Sequence, residues 1–228
     1  MINITDSEIC LIKEIIQVMK KFLIIPILTA AVSLSAGEKK SSTLSIRQAG
    51  NTIIGRQIKW IELDAFYNGK LTRINPAKYR GKWIILFFYP ADFTFVCPTE
   101  LKELSDYYQE FRNTGAEIFS ISTDSAYVHR AWQKDNPLLK DIKFPMLSDR
   151  AGIFSRSLGV YNESTGMAIR AVFIVDPDGS IVAAEYTHDS IGRNAGEILR
   201  KLDAAIAVRT RGGLCPAGWT EGKKIIHE

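Results

Sequence analysis

The chain has 228 residues, of which 46% are hydrophobic and 24% charged, enough for one sizeable globular domain with a real core. Its 29 basic and 25 acidic residues leave a net charge of +4, too mild and too dispersed to point to a nucleic-acid partner. Cys10, Cys97 and Cys215 are too few for a disulfide scaffold and show no Cys-x-x-Cys spacing, nor is there a His-x-x-x-His pair, so neither a metal site nor a bound cofactor is expected.

Residues 1–50 do not read as domain. Lys20-Lys21 precedes a 15-residue apolar run, Phe22 to Ala36, and then a polar stretch from Gly37 to Ser45. A basic pair, a short apolar core and the small residues Ser33, Ser35 and Ala36 form a secretory signal pattern over about residues 19–36. The run contains Pro26 and falls short of the about 20 residues that span a bilayer. A signal of this kind begins close to its basic pair, which makes Met19 the natural start. The expected location is periplasmic or otherwise exported. The alternatives are a cytoplasmic protein with an attached amphipathic extension, or a weak anchor. Cys10 has no role in this reading.

The domain is expected over 51–208, with a tail at 209–228. Gln57–Leu63 suggests a first strand before the turn signal Asn68-Gly69. Trp83–Tyr89 is a continuous apolar run and a buried central strand. Leu101, Leu104, Tyr108 and Phe111 repeat at helical spacing, and the helix that starts near Cys97 stops at Asn113-Thr114-Gly115. Ala116–Ser122 is the next strand. Ser125 can cap a helix that runs to Asn136 and is halted by Pro137. Phe144–Leu147 is a short strand and Ile153–Leu158 a short helix. Ala171–Val175 and Ser180–Thr187 are antiparallel strands joined by the turn Asp176-Pro177-Asp178-Gly179. Arg193–Val208 is an amphipathic helix, with apolar positions at Ala195, Ile198, Leu199, Leu202, Ala205 and Ile206. Alternating strands and helices with a late hairpin give an α/β fold, a mixed central sheet with helices on both faces.

The chemistry concentrates where the central strand ends and the next helix begins. Cys97 sits at that junction, and unpaired helical N–H groups and the positive end of the helix dipole favour a thiolate there. Thr94, three residues upstream, can offer a hydroxyl beside the sulfur. Pro90 closes the strand and fixes the loop.

Tyr89-Pro90 through Thr94-x-x-Cys97-Pro98-Thr99-Glu100 resembles the active-site signature of the peroxiredoxins. Gly213-Leu214-Cys215-Pro216-Ala217-Gly218-Trp219 resembles the resolving-cysteine motif of their typical two-cysteine branch. Arg170-Ala171-Val172-Phe173-Ile174-Val175-Asp176 resembles the family's arginine-bearing strand. The matches come in family order between Ile53 and Trp219 and fit the alkyl hydroperoxide reductase C and thioredoxin peroxidase group.

The resemblance implies a thioredoxin-like fold and a thiol-specific peroxidase with an antioxidant role. Hydrogen peroxide and organic hydroperoxides would be reduced to water and alcohols through a sulfenic acid and an intersubunit disulfide. It implies Cys97 as the peroxidatic nucleophile and Cys215 as the resolving thiol. Arg170 would favour the thiolate and polarise the peroxide, Thr94 would bond sulfur and a peroxide oxygen, and Pro90 would shield the sulfenic acid from water. Glu100 would orient the arginine, with Arg193 as a second arginine. The implied partners are a thioredoxin-like protein or a flavoprotein disulfide reductase, and other copies of the chain in homodimers and a decamer. The chain lacks the Gly-Gly-Leu-Gly insertion and the C-terminal Tyr-Phe helix of overoxidation-sensitive relatives, so resistance is expected.

Blander readings stand beside these. Thr94 suits a helix start, Arg170 a structural ion pair, and Glu100 a helix N-terminus whatever its catalytic role. His129 and His188 invite a Cys–His proposal, but a preformed thiolate needs no base, so both read as surface or half-buried residues and His227 as tail. Trp132 reads as helix core and Trp219 as the anchor of the tail near Cys215. The rival functions are a thiol–disulfide oxidoreductase, which would carry Cys-x-x-Cys at the helix start, and a chaperone-like ring.

Overall fold

The computed structural model describes residues 52–227. Cys10, the proposed start at Met19 and the signal run lie outside these residues. Seven strands form one mixed sheet: β1 (Leu63–Tyr67), β2 (Lys70–Ile74), β3 (Ile84–Phe88), β4 (Glu117–Ser122), β5 (Met146–Ser148), β8 (Arg170–Val175) and β9 (Ile181–Thr187). Their order is β2-β1-β5-β4-β3-β8-β9. The central pairs β3–β4 and β4–β5 are parallel, while β8 runs antiparallel to both β3 and β9. A separate two-stranded ribbon joins β6 (Tyr161–Asn162) to β7 (Met167–Ala168).

Strand β3 shows why the sheet is two-sided. Ile85, Phe87 and Tyr89 enter one core with Leu101 and Leu104 of α1 (Cys97–Asp106), Phe111 of α2 (Tyr108–Asn113), Trp132 of α3 (Ala126–Asp135), and Ile198 and Leu202 of α5 (Ala195–Arg211). Ile84, Leu86 and Phe88 enter the opposite core, with Ile58, Leu158 and Phe154 of α4 (Ile153–Ser157). Strict alternation sends successive side chains to opposite faces, so a run apolar at every position must be covered on both.

Several boundaries differ from the expectations. The first strand begins at Leu63, where the Gln57–Leu63 reading ended. Gln57 makes only an isolated bridge to Ser180, and Ile58 donates its N–H to Gly179, so this segment is tied to the β8–β9 turn instead. Asn68 and Gly69 take φ of 49° and 73°, the left-handed pair of a tight hairpin, and β2 follows them. The helix after Cys97 is divided at Tyr107, where ψ opens to 4°, although Tyr107 still donates to Glu103 and Phe111 to Tyr107. The last helix starts two residues later than expected, capped by Asn194, whose side chain accepts from Glu197, and runs on to Arg211. Ser125 caps α3 by accepting from Val128.

Candidate active site

The central strand β3 delivers the chain into the site. Tyr89 and Pro90 remain buried beyond its end, and the chain turns through Ala91–Thr94 into α1. Cys97 is the first residue of α1 and Pro98 the second. Proline is harmless there because the first-turn N–H groups have no intrahelical partner. The Cys97 side chain packs with Leu101 and Tyr89 and has no solvent exposure. In such a dry place a neighbouring charge counts for more than it does in water.

That charge is Arg170, at the start of β8 and nearly fully buried. Its Nη1 lies 3.3 Å from Cys97 Sγ and donates to Glu100 Oε2 at 2.7 Å, and its Nε donates to the Asp189 carbonyl at 2.8 Å. Burial works against the guanidinium charge. The bond to the sulfur and the negative charges on Cys97 and Glu100 outweigh it and raise the Arg170 pKa above the usual arginine value. Glu100 stands one helical turn after Cys97 and is itself buried. Its Oε1 accepts from the backbone N–H and Nε of Arg193, and Oε2 from Arg193 Nη2. Arg193 also donates to the Ala171 carbonyl at 2.7 Å and lies over the Phe87 ring at 3.6 Å. Burial pulls the Arg193 pKa down, with Glu100 opposing it. One carboxylate thus joins two arginines, and one of those arginines reaches the sulfur.

The residues singled out in the sequence fall into two places. Cys97, Thr94, Pro90, Glu100, Arg170 and Arg193 gather around the β3–α1 junction. Cys215 lies apart, half-buried in an open pocket of about 460 Å³ between α5 and the tail, with its Sγ 3.7 Å from the Ala204 carbonyl. Burial pushes the Cys215 thiol up. Both Cys97 and Cys215 are free thiols. Trp219 is fully buried against Ala207 and Ile225, and Arg200 donates to its carbonyl at 3.0 Å, which fixes the tail beside Cys215.

Two expectations need correction. Thr94 makes no hydrogen bond to the sulfur: its hydroxyl proton goes to the Ala91 carbonyl at 2.8 Å and closes the turn, which leaves the oxygen's lone pairs free to accept. His129 is fully buried, neither a surface nor a half-buried residue, because Asp92 and the Leu147 carbonyl engage both ring nitrogens. His188 is exposed as expected. Sequence reasoning also missed the Asp189 carbonyl that holds Arg170, since a backbone acceptor leaves no mark in residue type. Among the described residues no group of His, Cys, Asp and Glu could hold a metal ion, and no helix is long and apolar enough to cross a membrane.

The AhpC/TSA family model matches residues 54–184. Alkyl hydroperoxide reductase C of Salmonella typhimurium (strain LT2) is 42% identical over 176 residues, which cover 77% of this chain and 94% of that protein. The protein of the same name from Amphibacillus xylanus is 43% identical over 177 residues, with the same coverage of each chain. Among solved structures, Enterococcus faecalis AhpC superposes with a TM-score of 0.69 at 43% identity, over 72% of this chain and 99% of that one. Reduced Plasmodium vivax 2-Cys peroxiredoxin gives 0.72 at 32% identity, over 76% and 92%.

Proposed function

This chain belongs to the AhpC/TSA family, and from that premise we propose that it is a peroxidase whose nucleophile is Cys97. It reduces hydroperoxides and serves antioxidant defence. The Cys97 thiolate attacks the terminal oxygen of the hydroperoxide. An S–O bond forms, the O–O bond breaks, and the departing alkoxide or hydroxide takes a proton and leaves as alcohol or water. Arg170 faces both the sulfur and the developing negative charge, a preorganised donor that needs no rearrangement during the step. Thr94 accepts from the incoming hydroperoxide through its free lone pairs, and Pro90 roofs the site.

The observation that carries this reading is the placement of Arg170 Nη1, 3.3 Å from a buried cysteine sulfur while the same nitrogen is locked on Glu100. A purely structural ion pair has no use for the third contact.

The product is a sulfenic acid on Cys97. A thiol from Cys215 attacks it, releases water and forms a disulfide. The two cysteines pack into different clusters of one chain, whereas a disulfide needs Cα atoms within about 7 Å. As the resemblance of the Cys215 motif to the typical two-cysteine branch implies, Cys215 serves a second subunit, and the first turn of α1 unwinds to meet it. An external dithiol, from a thioredoxin-like protein or a flavoprotein reductase, returns both thiols. The outer strand β9 offers an edge for a homodimer, and the exposed Phe95 and Tyr127 offer apolar surface for a larger ring such as a decamer. The basic pair and apolar run before Gly37 support export, with a mature chain that begins near Gly37. N-terminal sequencing of the mature protein tests that point, and an intact Met1 or Met19 on cytosolic protein would refute it.

The function is tested by peroxide consumption with dithiothreitol as reductant. Wild type turns over, and Cys97→Ser consumes none while its assembly state is unchanged. Undiminished consumption by Cys97→Ser would remove Cys97 from the role.

A further inference from the structure

We propose that Asp92 and His129 are positioning residues for peroxide reduction: with Tyr89 they form a buried array that holds the turn bearing Thr94, and so the first turn of α1, in the geometry that receives peroxide. The proposal rests on the assignment of Cys97 above.

Asp92 and His129 are both buried, and nothing in the peroxidase steps uses them. Each Asp92 oxygen has one partner. Tyr89 Oη donates to Oδ1 at 2.8 Å, and His129 Nδ1 lies 2.7 Å from Oδ2. His129 Nε2 faces the Leu147 carbonyl at 3.2 Å. A carbonyl only accepts, so Nε2 carries a proton. The proton between Nδ1 and Oδ2 then rests on either atom, and the bridge is the same in both forms. Burial pushes the Asp92 carboxyl up, with the His129 bond working the other way. Both ring nitrogens are engaged, so His129 is not a base for Cys97. The Asp92 backbone N–H is held as well, by Asp124 Oδ2 at 2.8 Å, which also accepts from Ser122 Oγ at 3.0 Å. These contacts fix Asp92 to β5, to α3 and to the end of β4.

The array occupies the one place where the loop is strained. Phe93 follows Asp92 with φ of +55°, in the left-handed region that a bulky side chain avoids. Such a conformation persists only where its surroundings over-determine it. Asp92 on one side supplies that constraint, and on the other Thr94 Oγ1 donates to Ala91 and closes the turn. Phe93 adds a ring contact to Trp132, with centroids 6.2 Å apart. Released from its anchor, Phe93 would relax towards extended backbone and carry Thr94 and Cys97 out of register with Arg170. A core that needed only stability would be better filled by apolar groups, since burying polar groups is costly.

The test is stopped-flow oxidation of the reduced, full-length protein by hydrogen peroxide, with sulfenic acid formation and disulfide formation followed separately and unfolding temperatures measured alongside. Asp92→Ala is expected to slow the peroxide step about 10- to 100-fold, the scale of misplacing a reacting group. It should also speed the disulfide step and lower the fraction of sulfinic acid, because a released loop unwinds more readily. Asp92→Asn can accept from Tyr89 and donate to His129 Nδ1, and is expected to stay within about threefold of wild type. Tyr89→Phe removes one bond without opening a cavity, so it should move both steps in the same opposite directions by smaller factors. It carries the test if Asp92→Ala does not fold. A foldable Asp92→Ala, or in its absence Tyr89→Phe, that reacts with peroxide like wild type, or that slows both steps together, would overturn the proposal, as would Asp92→Asn as impaired as Asp92→Ala. Wild type inert to peroxide at Cys97 would overturn the assignment of Cys97 and this inference with it.

Discussion

Replacing Arg170 by methionine separates a chemical role from a structural one. The substitution keeps an apolar stem and removes the guanidinium, and with it the 3.3 Å contact to Cys97 Sγ. A hydrogen bond to a charged group contributes about 1.5–3 kcal/mol. The Coulomb attraction of a unit pair at this distance, about 5 kcal/mol at an effective dielectric of 20, sets an upper limit before desolvation is subtracted. At about 1.4 kcal/mol per tenfold, losing the thiolate's partner costs about 10- to 100-fold in rate. The departing oxygen loses the same donor, so the full loss in the second-order rate constant is expected to reach about 100- to 1,000-fold. Stability should fall much less, by about 1–2 kcal/mol, because Glu100 keeps the three bonds from Arg193. Stopped-flow tryptophan fluorescence with hydrogen peroxide, paired with thermal unfolding, measures both. A variant within about threefold of wild type in rate but clearly less stable would make Arg170 a structural ion pair and remove it from the chemistry.

Four further outcomes follow from the same structure. Peroxide-treated wild type should run as a disulfide-linked dimer on a non-reducing denaturing gel, and Cys215→Ser as a monomer with oxidised Cys97; a fully oxidised wild type that stays monomeric would point to an intrachain bond. Gly213 has φ of +77°, and a Cβ there would lie 2.5 Å from the Ile226 carbonyl, so Gly213→Ala should break the Leu214–Ile226 bridge and slow disulfide formation while the peroxide step is unchanged. Glu117 is held below the usual carboxylate range by Lys82 and Arg112 in spite of its burial, so its stabilisation is present above about pH 4.3 and lost as pH falls through the lowered folded value; Glu117→Gln should cost about 1–2 kcal/mol at pH 7 and little at pH 3, by denaturant titration. Turnover under rising hydrogen peroxide should persist with little sulfinic acid at Cys97 by mass spectrometry, and early inactivation dominated by sulfinic acid would show that α1 is held closed too firmly.

The β3–α1 junction was legible because its signals are local. Seven consecutive apolar residues make a strand covered on both faces, and the Cys-Pro pair at the first helical turn marks where it hands over to α1. The three chemical residues that lie outside this stretch, Arg170, Arg193 and Cys215, were reached through resemblance, since spacing alone says nothing about which distant residues converge. Arg193 precedes the cap of α5 and turns inward, a placement that helical periodicity does not encode. His129 was misread for a physical reason: a polar residue whose partner, Asp92, lies 37 positions away looks like surface until the fold desolvates them together. The Thr94 hydroxyl was misassigned because a turn closed by a side chain competes with the sulfur for the same proton. The first strand was placed at Gln57–Leu63, but there the chain is tied to the β8–β9 turn by an isolated bridge at Gln57 and one bond from Ile58, without a ladder.

Two buried polar anchors bracket the segment that the proposed disulfide step requires to move. On one side Asp92 is tied to Tyr89, His129 and Asp124. On the other, Glu100 is tied to Arg170 and Arg193, which stitches α1 from that residue onward to β8 and to the approach to α5. Between them Phe93 is 55% exposed and Phe95 94%, and Thr99 and Glu100 donate their backbone N–H groups to the Val96 carbonyl. Opening this segment breaks at least these two backbone bonds, about 1 kcal/mol each, together with the Arg170–sulfur contact. A cost of at least about 3 kcal/mol, at about 1.4 kcal/mol per tenfold, leaves the open form rare while the sulfur is a thiolate. Reaction with peroxide changes that balance, because sulfenic acid is neutral and forfeits the charge that Arg170 holds. On the proposed role of Cys97, the latch is strongest on the reactant and weakest on the product, so oxidation at Cys97 would itself promote the unwinding that the proposed attack by Cys215 requires.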